Sequence, residues 1–234
     1  MIPAKAARTS TRASARSVLP ASADMSVAPL QAIPSLLREF GVEPWSVLER
    51  AGVDRGALAD ASSRVPFDPV GRLIVECVAA SACPHFGLLL GIRSGPAAAG
   101  IAGHLFRHAE SVHAALRLFI AHLHLHDRGG VVALNLHGAE DVELSYLIHH
   151  PNTPGTAQIL DASIAIACSV MRCLCGARWA PSEVMLSRDR PRLVAPYRSF
   201  FRAPIRFDAP HSALIFPARF LDQPVAGADP ATRT

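Results

Sequence analysis

Histidine is the residue type best placed to do chemistry in this chain, with eleven copies, nine of them between His104 and His150. His122 and His126 stand four apart, and on one helical face that spacing offers two imidazoles to a metal ion. A third ligand is required. His104 and His108 share the helix edge, but His104 is roughly 27 Å from His122 at 1.5 Å per residue, so they cannot join the same site. His137 ends a strand, His149-His150 sit in a turn, and the His-x-His-x-His run at 122–126 also reads as a last helical turn before Gly129-Gly130. No HExxH and no paired CxxC motif accompanies them. A metal or haem sensor on this histidine-rich helix is the alternative reading of the chain; no cofactor is expected.

Catalytic constellations are missing from the sequence. There is no G-x-S-x-G nucleophile elbow and no glycine-rich phosphate loop, and residues 95–100 are too irregular for a dinucleotide fingerprint. Glu140, Asp141 and Glu143 surround a turn, where acids are ordinarily solvated. Asp161, alone inside an apolar helix, is the acid of most interest, as an edge residue or a polar anchor in a pocket. The expectation is a protein that is not an enzyme.

The segments that must position these residues run from Ile101 to Gly176. Apolar residues at Leu105, Ala109, Val112, Leu116, Phe119 and Leu123 make one stripe along a long helix, and Leu160, Ile164, Ala167, Met171 and Leu174 make another. Between them Val132, Leu134 and Leu136 alternate as one strand and Val142, Leu144, Tyr146 and Ile148 as its hairpin partner, with Leu147 marking a second face for covering. The two helices are expected to cover one face of a sheet. Upstream, short helices are predicted at 33–40, 45–51 and 55–59, the first two closed by Gly41 and Gly52. A strand at 64–67 leads to a helix capped by Asp68, and a short helix covers 85–91. Downstream, strands fall at 183–187, 204–207 and 213–216, with a short helix at 194–202. The fold class is α+β: a helical N-terminal half, with two long helices packed on a small, mainly antiparallel sheet.

Half the residues are apolar and 18% charged, which favours a buried core over disorder. Lys5, Arg8, Arg12 and Arg16, against Asp24, carry most of the net +4. The remainder is near neutral and offers no clustered basic face for nucleic acid; Arg188, Arg190, Arg192 and Arg198 read as loop arginines at the surface. Five cysteines lie in apolar helical stretches and read as buried small side chains, an odd number without a secretory leader being a poor disulfide framework. No apolar run of about 18 residues is free of charge, so no membrane span is expected. Residues 1–24 have the composition of an organelle transit peptide. Because Met25 begins a full domain and Lys5 is the single lysine, a disordered tail or an over-extended gene start is the preferred reading. Three segments are expected: a tail over 1–26, a domain over 27–224 and the start of a linker over 225–234.

Several stretches, in order, resemble the effector-binding (arabinose-binding-like) domain that precedes the DNA-binding module in one branch of the AraC-type bacterial transcription regulators. They are GVEPWSVLERAGVDRGALADASSRVPFDPVGRLI at 41–74, HFGLLLGIR at 85–93 and ESVHAALRLFIAHLHLHDRG at 110–129. The closing run at 179–225 carries Pro181, Val184, Tyr197, Phe200, Phe207, Phe216, Leu221 and Pro224 where the family pattern has them. The resemblance implies a cytoplasmic bacterial regulator whose domain binds a small organic effector, with a homodimer and no membrane among its associations. DNA is implied as a partner only through a C-terminal helix-turn-helix module that this chain, ending at Thr234 in what should be the linker, lacks. The effector is expected between the two long helices and the sheet, with walls from Phe106, Phe119, Leu123, Tyr146 and Met171 and a polar head oriented by His122, His126 or Asp161.

Overall fold

The computed structural model describes residues 23–99, 109–150 and 152–226. The first of these is built almost wholly from short helices: α1 (Ile33–Glu39), α2 (Pro44–Ala51), α3 (Arg55–Ala59), α4 (Phe67–Ser81) and α5 (Phe86–Ser94). Their ends follow from the sequence. Pro44 opens α2, the Glu43 carboxylate accepts the Ser46 N–H at 3.0 Å, and Gly52 closes the helix at φ 73°. The Asp54 side chain accepts from Ala57 N at the start of α3. The start expected for α4 needs correcting. Pro66 rather than Asp68 occupies its N-cap and no side chain caps it, yet Val70, Leu73, Ile74 and Cys77 are buried along the expected face.

Two features lie outside the expected boundaries. Strand β1 (Asp24–Ser26) pairs antiparallel with β2 (Arg64–Pro66), so the folded body starts before residue 27. On its other side β1 is joined to 126–128, with Ser26 N donating to His126 O at 2.6 Å and Arg128 N to Asp24 O at 2.9 Å. At the far end Val225 is buried and Ala226 N donates to Leu174 O at 2.8 Å, so the chain is still anchored where a linker was expected.

The first long helix is shorter than its apolar stripe. Leu105, Phe106 and His108 lie outside the described residues, but Ala109 and Glu110 are not helical, and Ser111, extended at φ −142°, caps α6 (Val112–His122) by accepting from Ala114 N. The N–H groups of Val112 and His113 donate to Gln223 O and Leu221 O; the C-terminal segment thus satisfies donors that a helix start leaves open. The second long helix, α7 (Thr156–Cys175), matches its expected extent.

The main sheet has the order β3-β4-β7-β5-β6, from β3 (Gly130–His137), β4 (Asp141–Ile148), β7 (Ser212–Pro217), β5 (Glu183–Met185) and β6 (Ile205–Arg206). All its pairings are antiparallel except β5 with β6, and α8 (Ala195–Phe201) lies between β5 and β6 in sequence. The α+β class holds. Leu147 is 44% exposed and its cross-strand partner Val131 48%, so the outer face of the hairpin is not covered as expected there. The inner face is covered chiefly by α7, while α6 packs mainly against the edge strand β3.

α7 lies between two apolar clusters. Leu160, Ile164, Cys168, Met171 and Leu174 belong to the cluster shared with the sheet, α6 and α8; Ile159 belongs to that of the helical half. Each fully buried Leu or Ile contributes roughly 1.5–3 kcal/mol, so this helix holds the two halves together. Its length and apolar character would suffice to cross a membrane, but 61% of it is buried within the protein. α5 crosses it at very close range: a Cβ on Gly87 would stand 2.1 Å from Gln158 O, and one on Gly91 2.3 Å from Ala162 O. Cys77, Cys83 and Cys168 are buried as expected, whereas Cys173 is exposed. Burial pushes the Cys77 thiol up to about 12 and that of Cys168 to about 11, so both stay protonated and inert.

Candidate functional site

Where the helical half meets the sheet half, packing leaves a cavity of about 120 Å³. The helical half contributes Met25, Leu30, Val70, Ile74 and Leu90. The other half contributes Leu116, Phe119 and Leu123 from α6 and the turn after it, Val132 and Leu144 from the hairpin, and Ile159, Ser163, Ala167 and Val170 from α7. Positions 159, 163, 167 and 170 recur at helical spacing and form one face of α7.

The polar side of the cavity is the turn at 126–130. Asp127 is buried, and its Oδ1 accepts the N–H groups of Gly129 and Gly130, each at 2.8 Å. Its Oδ2 accepts a short hydrogen bond from the Tyr146 hydroxyl. The two glycines are required by the rings above them: a Cβ on Gly129 would enter the Phe67 ring at 2.5 Å, and one on Gly130 the Tyr146 ring. Burial and the neighbouring Asp127 carboxylate push the Tyr146 phenol well above its usual value. The proton therefore stays on Tyr146, and Asp127 is held as an acceptor. Tyr146→Phe leaves the cavity's shape intact but removes this bond to a charged group, with an expected loss of about 1.5–3 kcal/mol, to be read as a lower urea midpoint at unchanged slope.

His126 lines the cavity beside this turn, and its ring makes no hydrogen bond among the described residues. Burial, with the Arg64 guanidinium nearby, lowers its pKa against the pull of Asp127, so the imidazole is neutral near pH 7. An acid next to a histidine could signal acid–base chemistry, but here the carboxylate is committed to the turn.

Of the residues expected at the site, Phe119, Leu123, His126 and Tyr146 line the cavity, and Phe106 lies outside the described residues. The other three do not reach it. His122 is at the last position of α6 and its Nδ1 pairs with Leu118 O at 2.8 Å. Beyond it the chain tightens into a 3-10 turn over Leu123–Leu125, so His122 and His126 lose the i,i+4 relation of an α-helix. No group of three or more His, Cys, Asp or Glu side chains converges among the described residues. Met171 is fully buried in the sheet-side core.

Asp161 is a polar anchor, but elsewhere. Its Oδ2 accepts from Tyr197 Oη at 2.6 Å and pairs closely with Arg188 Nη1, which also donates to Tyr197 Oη at 2.6 Å. Arg188 is therefore mostly buried rather than a surface loop arginine. Burial pushes the Asp161 carboxyl up, against Arg188 and the Tyr197 hydroxyl. Asp161 Oδ1, Arg188 Nε and His85 Nδ1 have no partner among the described residues. Glu143 is likewise not simply solvated: it accepts from His211 Nε2 at 2.8 Å and lies 3.5 Å from His137 Nδ1.

Sequence reading missed Asp127, Ser163 and the contributions of β1 and α4. Asp127-x-Gly129-Gly130 did hold a signal, because an Asp side chain commonly accepts backbone N–H groups two and three residues on. The β1 and α4 residues are remote in sequence and carry none.

The described residues pair a helical half with a small sheet in one α+β body. The chain belongs to the family described as the arabinose-binding domain of AraC transcription regulator, N-term, whose model matches residues 41–225. It is 24% identical over 206 residues to the ornithine utilization regulator of Pseudomonas aeruginosa, a match covering 88% of this chain and 60% of that protein. The crystal structure of the transcriptional regulator CdpR from Pseudomonas aeruginosa has a similar fold, with TM-score 0.58 and 22% identity, over 80% of this chain and 58% of that one. The chain thus spans about three fifths of each of these regulators.

Proposed function

We propose that the cavity receives a small organic effector and that its occupancy is relayed to a DNA-binding module of the regulator. The observation that carries this reading is the cavity's position: its walls come from both halves of the domain and from one face of α7. A ligand that fits one arrangement of the halves better than another shifts the equilibrium between them by its difference in affinity. On this reading the regulatory body runs from about Asp24 to Ala226 and the regulator works in the cytoplasm. DNA is contacted through a helix-turn-helix module outside the described residues, and a second copy of the chain is a candidate partner. No catalytic role is assigned.

A thermal-shift screen tests this. A ligand at 100 times its Kd adds about 2.7 kcal/mol, which for a domain of this size raises Tm by roughly 5–10 °C. Ala167→Phe, which fills the cavity from α7, is expected to abolish that shift while leaving the far-UV spectrum unchanged. A ligand whose shift survives the substitution binds elsewhere, and the cavity is then not the effector site. Ornithine belongs in the screen because of the relative's name, although its two ammonium groups and carboxylate find no free charged partner among the described lining residues. Asp127, the charged residue in the lining, is already bonded to Gly129, Gly130 and Tyr146.

A further inference from the structure

The chemistry of the cavity narrows what it can hold, given the effector-site reading above. Its walls are mainly Leu, Ile, Val, Ala, Met and Phe side chains, and among the described residues no lysine, arginine or glutamate lines it. Each polar side chain at the rim but one is engaged within the protein or, like Ser145 between the inward Leu144 and Tyr146 of β4, points to the other face of the sheet. Asp127 and Tyr146 bond each other, Ser163 Oγ donates to Ile159 O at 2.9 Å, and Ser26 Oγ accepts from Ala28 N at 3.2 Å. Arg64, whose charge is felt at His126, is held by the Asp24 carboxylate at 2.7 Å and turned to Leu125 O. His126 is the exception, with a ring that has no partner among the described residues.

From this the geometry points to an uncharged ligand: a compact apolar body, of the size of a six-membered ring, carrying one hydroxyl or similar neutral head that hydrogen-bonds the His126 imidazole. An apolar cavity of about 150 Å³ holds benzene, and the 120 Å³ here is of that order. A neutral imidazole has one donor and one acceptor nitrogen, enough for one head group. A diamine or diamino acid would enter with ammonium charges that nothing free in the lining can pair, and an unpaired buried charge is strongly disfavoured.

Phenol, cyclohexanol, toluene, putrescine and L-ornithine, offered to the 234-residue chain in titration calorimetry, test the idea. Phenol and cyclohexanol are expected to bind, and Ala167→Phe, or Val132→Phe if the first variant does not fold, is expected to remove the binding. His126→Leu should weaken phenol about tenfold, the scale of one neutral hydrogen bond, and leave toluene at least as tightly bound. Putrescine or ornithine binding that the cavity-filling variants abolish would overturn the ligand class and keep the cavity as the effector site. Binding by none of the five overturns the ligand class; the effector-site reading then stands or falls by the wider thermal-shift screen. Equal weakening of phenol and toluene by His126→Leu would overturn the role given to His126.

Discussion

Alanine at both Gly87 and Gly91 is expected to cost up to about 4 kcal/mol, a large share of the roughly 5–15 kcal/mol that holds an ordinary domain folded. Intrinsic propensity argues the other way, because alanine in a helix interior is favoured over glycine by roughly 1 kcal/mol at each position. The crossing decides the sign. The added methyls would meet Gln158 O at 2.1 Å and Ala162 O at 2.3 Å, and these are backbone atoms of α7 that cannot swing aside. α5 must then back away from α7 along a contact that includes Leu88 on one core and Phe86 and Leu90 on the other, and overpacking of this kind costs roughly 1–3 kcal/mol per site. Urea unfolding followed by far-UV circular dichroism measures it. A double variant as stable as the parent would show that the two helices do not approach this closely.

Arg188→Met is expected to lose about 3–5 kcal/mol near neutral pH, because it strands the Asp161 carboxylate in the interior without its cation. The loss should depend on pH in a defined direction. Asp161 is already pushed above its usual 3.8 by burial, with Arg188 opposing, and removing Arg188 raises it further. A carboxyl whose pKa is higher folded than unfolded makes the native state bind more protons between the two values. Stability therefore falls as pH rises through that window and recovers as pH drops below it. The triple substitution Asp161→Leu/Arg188→Met/Tyr197→Phe removes charge and hydroxyl together and should return to within roughly 1–2 kcal/mol of the parent. If Arg188→Met unfolds at the parent's denaturant midpoint at pH 7, the pair is not buried as described.

Some of this was legible from sequence and some was not, for physical reasons. α7 was readable because twenty residues keep one apolar period between Gly155 and Gly176, and the β3–β4 hairpin because its alternation brackets Gly138. The glycines of α5 stood out as a pattern, but their reason lies seventy residues away in α7. α6 was overextended because the apolar stripe runs upstream of Ser111, while its first N–H groups are satisfied by residues 221–223, which no local window contains. The cavity was half readable. Phe119, Leu123, His126 and Tyr146 follow from the helix–hairpin arrangement, whereas β1 and α4 reach it through pairing between 24–26 and 64–66. Met171 was misplaced by one helical face, and Asp161 could not be assigned without Arg188, twenty-seven positions on.

The tie between Ala226 and Leu174 has a mechanical consequence. α7 touches the cavity along its first four turns, crosses α5 near Ala162, and holds the departing chain at its last turn. From Ala162 to Leu174 is roughly 18 Å at 1.5 Å per residue, so a tilt of about 5° around that crossing would carry the exit point sideways by about 1.5 Å. The helix is then a lever arm with its fulcrum at two glycines, and a molecule wedged against it between Ser163 and Val170 would be felt, magnified, where the chain leaves it.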